Sequence, residues 1–391
     1  MEILKSFAEA IFGSIMSMTP GSLIKMAAMW ALGGLLIYLA IKRKMEPALL
    51  LPMGFGAIIV NMPFSGAITQ VIGDITEQGP LSVLFDAGVA NELFPLLLFI
   101  GIGAMCDFGP LLKNPKLLLF GAAAQFGIFI TILLACAIEH IAPGVFSLQD
   151  AACIGIIGAA DGPTSIFVAN YYETKYMGAI LVAAYSYMAL VPIIQPPCIK
   201  LVTTKKERLI RMPYTGDEVK KSTKIIFPIA VTIIAGLVAP RSIALVGFLM
   251  FGNLIRECGV LDSLSETAQN TLANLITIFL GLTVAVKMQA ELFLTFQTML
   301  IMALGLFAFV FDTLGGVMFA KFLNLFGKNK INPMIGACGI SAFPMSSRVV
   351  HKMGLEEDKQ NFLLMHAAGV NVGGQIASVI AGGLVLNLIA K

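Results

Sequence analysis

Charge is scarce in this chain: only 13% of its 391 residues are Asp, Glu, Lys or Arg, while 58% are hydrophobic. A soluble domain carries roughly 25% charged residues, so an ordinary water-soluble fold is excluded. The net charge of +3 gives no reason to expect a nucleic-acid partner. Histidine is scarcer still, with three residues and no ligand spacing. The six cysteines (Cys106, Cys136, Cys153, Cys198, Cys258 and Cys338) form no CxxC pair and fall mostly in apolar segments. They read as small lipid-buried residues, not as disulfides or zinc ligands. The single tryptophan, Trp30, adds no signal. Met1–Met18 lacks a basic start, a clean hydrophobic core and a small-residue cleavage site, so 1–22 reads as an interfacial or first membrane helix and not as a signal peptide.

What the chain has instead is long apolar runs. Stretches such as 23–41, 117–138, 225–239, 298–320 and 361–390 recur along it, and a span needs about 20 residues at 1.5 Å each. The chain is therefore expected to be an all-α polytopic membrane protein. No basic residue lies between Lys44 and Lys113, where Asp74, Glu77, Asp86 and Glu92 fall. Basic residues gather at 42–44, at 113–116 and above all at 200–224, KLVTTKKERLIRMPYTGDEVKKSTK. The positive-inside rule puts these basic loops in the cytoplasm and 62–92 outside.

The sequence also resembles itself. An offset of 181 places Ile154, Gly155, Gly158, Pro163 and Ser165 on Ile335, Gly336, Gly339, Pro344 and Ser346. An offset of 180 places Phe99, Gly101 and Gln195 on Phe279, Gly281 and Gln375, and one of 193 places Pro47, Gly54 and Phe55 on Pro240, Gly247 and Phe248. Loops matched in this way carry opposite charge bias, the basic 42–44 and 113–116 pairing with AGLVAPRS and LTFQ, so the halves are expected to be inverted relative to one another. The domains expected are 1–22, a first repeat 23–199, a cytoplasmic linker 200–224 and an inverted second repeat 225–391. Inversion needs an odd number of crossings, so one of six first-half segments must be re-entrant. The Gly-Pro-broken 150–170 is the candidate, leaving about five crossings per half.

Four interruptions hold the polar residues. GAADGPTS (158–165) carries the one charge of its apolar stretch, Asp161, and its repeat mate GISAFPMSSR (339–348) carries Ser341, Ser346, Ser347 and Arg348. YSYMALVPIIQPP (185–197) is broken by Pro192, Pro196 and Pro197, and its mate NVGGQIAS (371–378) places Asn371, Gln375 and Ser378 on one helical face. Gly-Pro interrupts a helix. A broken helix at membrane depth frees carbonyls that, with a carboxylate, make a cation site. The matched breaks are expected to converge at the midplane and offer hard oxygen ligands suited to Na⁺. Each residue also has a plainer reading. Asp161 could be a protonated structural group, NVGGQ a small-residue packing face, Arg348 a snorkelling anchor, Tyr185 and Tyr187 packing aromatics, and 200–224 a solvated loop. The adjacent Gly-Pro break favours the ion site.

Together DGPTSIFVAN, the tyrosine-proline stretch, NPMIGACGISAFPMSSRVVHKMG and NVGGQIASVIAGG resemble the β subunit of the biotin-dependent, sodium-translocating decarboxylases of oxaloacetate, glutaconyl-CoA, methylmalonyl-CoA and malonate, over nearly the whole chain. The resemblance implies a subunit that decarboxylates carboxybiotin and exports Na⁺ while consuming a proton. It implies biotin carried by a separate carrier subunit and not on this chain, a carboxyltransferase subunit, a small single-span subunit, a homo-oligomer in the complex, and a bacterial inner membrane. Asp161 would bind Na⁺ and exchange it for a proton, with Asn371 and Asn332 as polar partners. Gly336, Ser341 and Arg348 would line the path or meet carboxybiotin, and Tyr187 would sit near the ion.

The chemistry is consistent with such roles. A dry site favours the protonated acid and a bound cation favours the ionised one, so Na⁺ and H⁺ exclude each other at one oxygen pair. Arg348, permanently charged and bidentate, suits the carboxylate of carboxybiotin. Without the resemblance the residues would favour a second class, a Na⁺/H⁺ antiporter or a Na⁺-coupled organic-anion transporter with Arg348 as the anion clamp.

Overall fold

The computed structural model describes residues 18–44, 46–63, 65–72, 75–213, 219–327 and 330–390. Most of the expected N-terminal helix 1–22, and 214–218 of the linker, lie outside these residues. The described chain is helical except for one antiparallel hairpin, Gln70–Ile72 with Ile75–Glu77, which hydropathy did not signal. Among the described residues six helices are long and apolar enough to cross a membrane, or up to eight if two bent pairs each count as one span. The chain is thus an all-α polytopic membrane protein. It forms two compact units, Met1–Phe94 with Leu275–Leu300, and Pro95–Asn274 with Ile301–Lys391.

In the first unit, helix Pro20–Arg43 starts where the Thr19 hydroxyl accepts from the Ser22 amide. Pro20 occupies the first turn, where a missing donor costs nothing. Lys42 and Arg43 complement the carbonyl end of the helix. Helix Pro47–Val60 packs on it through Gly33 and Gly54: a Cβ added to either would stand 2.6 Å from the other's carbonyl oxygen. Asn61 fastens residues 288–290, donating to the Met288 carbonyl at 2.8 Å and accepting from the Ala290 amide at 2.7 Å.

The second unit is organised around helix Leu364–Leu388, whose apolar window is 83% buried, against 11% for the lipid-facing Lys221–Val238. This helix runs unbroken through NVGGQIAS, so the break expected there is corrected. The glycines serve close packing, Gly374 admitting the 339–340 backbone and Gly382 the Thr164 methyl. The proline stretch lies in helix Met177–Val202, which bends by 68° between Met188 and Leu190. Pro192 cannot donate to the carbonyl four residues earlier, that of Met188, and this accounts for the position of the bend.

The two other interruptions are built alike. Leu148–Gly155 tightens into a 3₁₀ turn, Ile156–Ala159, before Ala160 takes a left-handed conformation (φ 52°) and a new helix, Gly162–Tyr171, begins. In the second half the 3₁₀ segment Pro333–Gly339 is followed by irregular backbone and then helix Met345–Glu357.

The linker is not wholly a solvated loop. Its start is pinned by a Thr204–Glu207 capping box, a half-buried Arg208–Glu357 pair at 2.6 Å, and an Arg211–Asp358 pair at 2.5 Å. The Arg211 hydrogen bond holds the Asp358 carboxyl below the usual aspartate range. A carboxyl with a depressed value contributes stability that is complete at neutral pH and is lost only as pH falls through that lowered value. Limited proteolysis of 204–213 is therefore expected to accelerate only in acid below about pH 4, and Asp358→Asn is expected to accelerate it at neutral pH.

Candidate functional site

Asp161 is the N-cap of helix Gly162–Tyr171, in extended backbone between the 3₁₀ turn and that helix, and is 3% exposed. One carboxylate oxygen accepts from the Thr164 amide at 3.3 Å. The other accepts from the hydroxyls of Thr164 at 2.8 Å and Ser378 at 2.9 Å. Pro163 sits in the first turn, where its lack of an amide hydrogen is harmless. The Gly-Pro pair thus ends one helix and starts another, aiming the second helix's positive end at the carboxylate. No Lys, Arg or His pairs with Asp161 among the described residues. A carboxylate has about four acceptor positions, and here three are filled by neutral donors. No cationic side chain accompanies them among the described residues.

The segments around it are laced together by amides. The Ser341 amide donates to the Ala159 carbonyl at 2.9 Å, joining the second interruption to the turn before Asp161. Asn371 donates to the carbonyls of Ile340 at 2.8 Å and Cys338 at 3.3 Å, and Gln375 donates to that of Ser341. Gln195 holds the other side, donating to the Ala337 carbonyl at 2.8 Å and accepting from Ser346 at 2.9 Å. Asn371 and Gln375 turn their amide nitrogens to backbone, and their oxygens are left over. Asn371 Oδ1, Gln375 Oε1, Ser341 Oγ and the Tyr185 hydroxyl are all buried without a partner. Buried polar atoms are rarely orphaned unless they await an ion, a water or a proton.

The expected residues divide in two. Asp161, Ser341 and Asn371 lie in this bonded set. Asn332 does not: its nitrogen donates to the carbonyls of Arg208 and Ile210, both at 2.9 Å, and its oxygen caps Met334. It fastens the linker, and no recorded contact joins it to Asp161. Gly336 faces Gly316, each meeting the other's carbonyl, so backbone fills the side where a Cβ would stand. The Tyr187 hydroxyl is spent on the Met302 carbonyl; it is Tyr185 whose ring lies against Gly162, beside Asp161. Arg348 is exposed on helix Met345–Glu357, with no ion pair among the described residues.

Sequence reading missed Thr164, and the signal for it was present. Asp-x-x-Thr opening a helix places an N-cap acceptor under the third residue's amide, a pattern that the apolar surroundings of Asp161 obscure. Tyr185 was unreadable, because choosing between it and Tyr187 depends on the bend at Met188.

A helical, many-spanning membrane protein with an unneutralised buried acid at a helix break belongs among ion-translocating proteins. A profile of the Na⁺-transporting oxaloacetate decarboxylase beta subunit matches residues 25–389. The oxaloacetate decarboxylase beta chain of Haemophilus ducreyi is 45% identical, over 91% of this chain and 93% of its own. The methylmalonyl-CoA decarboxylase subunit beta of Propionigenium modestum is 49% identical over 90% and 92%, and the Klebsiella pneumoniae oxaloacetate decarboxylase beta chain is 45% identical over 91% and 93%. The chain belongs to this family of β subunits of Na⁺-transporting decarboxylases. It is a membrane subunit of a sodium-pumping decarboxylase, and the transporter reading is set aside.

Proposed function

We propose that Asp161 is the group on which Na⁺ and H⁺ alternate as carboxybiotin loses CO₂. The observation that carries this is the Asp161 carboxylate itself, buried, hydrogen-bonded by Thr164 and Ser378, and without a counter-charge. The ligand set is completed by the oxygens that the amide lacing leaves free on Ser341, Asn371 and Gln375, with Tyr185 at the edge. Hydroxyls at Thr164 and Ser378 can rotate from donor to acceptor as Na⁺ arrives. Asn332 and Gly336 act by holding the segment that leads into the second interruption, and Tyr187 by tying helix Met177–Val202 to the Met302 carbonyl. Export against the membrane potential costs ~2.3 kcal/mol per 100 mV, so CO₂ release has to wait for the ion.

Biotin reaches this chain on a carrier subunit, after a carboxyltransferase subunit has loaded it, and exposed Arg348 meets its carboxylate. A small single-span subunit and further copies of the chain complete the complex in a bacterial inner membrane. Relatives named for two different acids stand at similar identity, as expected if another subunit chooses the acid.

The test uses proteoliposomes of the complex with carboxylated carrier. Na⁺-dependent CO₂ release with Na⁺ movement supports the proposal, and CO₂ release indifferent to Na⁺ overturns it. The two tyrosines separate holding from binding. Tyr187→Phe loses a bond worth about 1 kcal/mol of stability and keeps its Na⁺ dependence. Tyr185→Phe loses no bond, keeps its melting temperature and requires more Na⁺. Melting curves and Na⁺ titrations of the two variants check both expectations.

A further inference from the structure

A second carboxylate lies in the middle of a membrane span and has no part in the site above. Asp312, in helix Phe296–Phe326, is 0% exposed. Its Oδ1 accepts from the Ile128 amide at 3.1 Å, in the first turn of helix Phe126–Ile141, while its Oδ2 is buried with no hydrogen-bond partner. Gly127, Ile128, Gly158 and Ala308 pack around it, and none of these titrates. Titratable residues on the same elements, Cys136, Glu139, His140 and Lys321, lie two or more helical turns along their helices, and Asp150 and Cys153 lie beyond the 3₁₀ turn. No Lys, Arg or His pairs with Asp312 among the described residues.

A metal ion needs several oxygens, such as the hydroxyl and amide oxygens gathered around Asp161, whereas Oδ2 of Asp312 lies against Gly158 and the Ala308 methyl. A proton needs a single oxygen, which Oδ2 supplies. That atom also touches the Asp161 segment, since a Cβ added to Gly158 would stand 2.5 Å from it. Gly158 belongs to the 3₁₀ turn Ile156–Ala159, whose Ala159 carbonyl is held by Ser341. The 181-residue offset pairs Asp312 with Thr131, likewise fully buried with an unpartnered hydroxyl. One half therefore carries an ionisable group where the other carries a neutral one.

We propose that Asp312 is a second proton-binding site, distinct from Asp161, which holds a proton on Oδ2 against the Gly158 turn. A neutral Asp312 lets this turn pack closely. Loss of the proton places a bare charge against the backbone that positions Asp161, which links the state of Asp312 to the ion site. This link rests on the sodium reading above, whereas the protonated acid does not.

The direct test is infrared spectroscopy of the full-length protein at neutral pH. Asp161→Asn is expected to retain a carboxylic-acid C=O band that Asp161→Asn/Asp312→Asn lacks. An identical spectrum for the two overturns the proposal. Should the double variant fail to fold, Gly158→Ala in the Asp161→Asn background takes its place: the added methyl must shift the band, and an unmoved band overturns the proposal. In the intact complex, Asp312→Asn is expected to slow Na⁺-dependent CO₂ release at least tenfold with Na⁺ affinity within threefold, and a wild-type rate and pH profile overturn the link. Wild-type CO₂ release indifferent to Na⁺ would sink the sodium reading alone and leave the infrared result to judge Asp312.

Discussion

Asp161→Asn is expected to abolish Na⁺-dependent CO₂ release and Na⁺ movement while leaving the protein folded. Asparagine keeps the shape, and it caps helix N-termini as well as aspartate does, so helix Gly162–Tyr171 still starts at the same place. The new amide nitrogen faces the Thr164 and Ser378 hydroxyls, which are bound to the same oxygen in the wild type and can turn to accept. Stability should therefore change by no more than about 1 kcal/mol. What is lost is the charge. Removing one member of a buried ionic contact costs about 3–5 kcal/mol, which at 1.4 kcal/mol per tenfold weakens Na⁺ binding by roughly 100-fold or more. Parallel melting curves and Na⁺-dependence curves of CO₂ release separate this outcome from simple misfolding.

Gly336→Ala should act in the opposite sense, on folding and not on ion affinity. Gly336 and Gly316 meet face to face, and a Cβ on either runs into the other's carbonyl. Neither neighbour is a flexible side chain that can swing aside, so helix Phe296–Phe326 and the 3₁₀ segment Pro333–Gly339 would have to separate. Overpacking of this kind costs about 1–3 kcal/mol and occasionally more. Here the upper end or beyond is expected, because the displaced segment also carries the carbonyls that Gln195 and Asn371 hold. The check is the yield of monodisperse protein and its melting temperature. A variant that folds normally but loses Na⁺ dependence would return Gly336 to the ion path.

Much of this was legible in the sequence, and the reasons are physical. A lone Asp before Gly-Pro in an apolar run admits few explanations, and it does lie at a helix break. Asn371, Gln375 and Ser378 share one face because a helix repeats every 3.6 residues, whether or not it is broken, so the face was readable although the break was not. Glycine pairs look alike in kinked and straight helices, which is why NVGGQ misled. Asn332 and Tyr187 could not be placed, since their partners, Arg208, Ile210 and Met302, are distant in sequence and contribute only backbone carbonyls. Hydropathy does not mark Asp312, because a single acid averages away over a helix of 31 residues. The inverted repeat remains a proposal. It gains support from matched contacts: Gly56 against the Leu282 carbonyl in one unit, and Gly103 against the Leu249 carbonyl in the other, are related within one residue by the 193 and 180 offsets.

The most direct measurement is a calorimetric Na⁺ titration of the purified chain, wild type beside Asp161→Asn. Saturable Na⁺ heat in the wild type that is missing from a folded Asp161→Asn is the result predicted. Equal Na⁺ binding by the two would contradict the placement of the transported ion at this carboxylate.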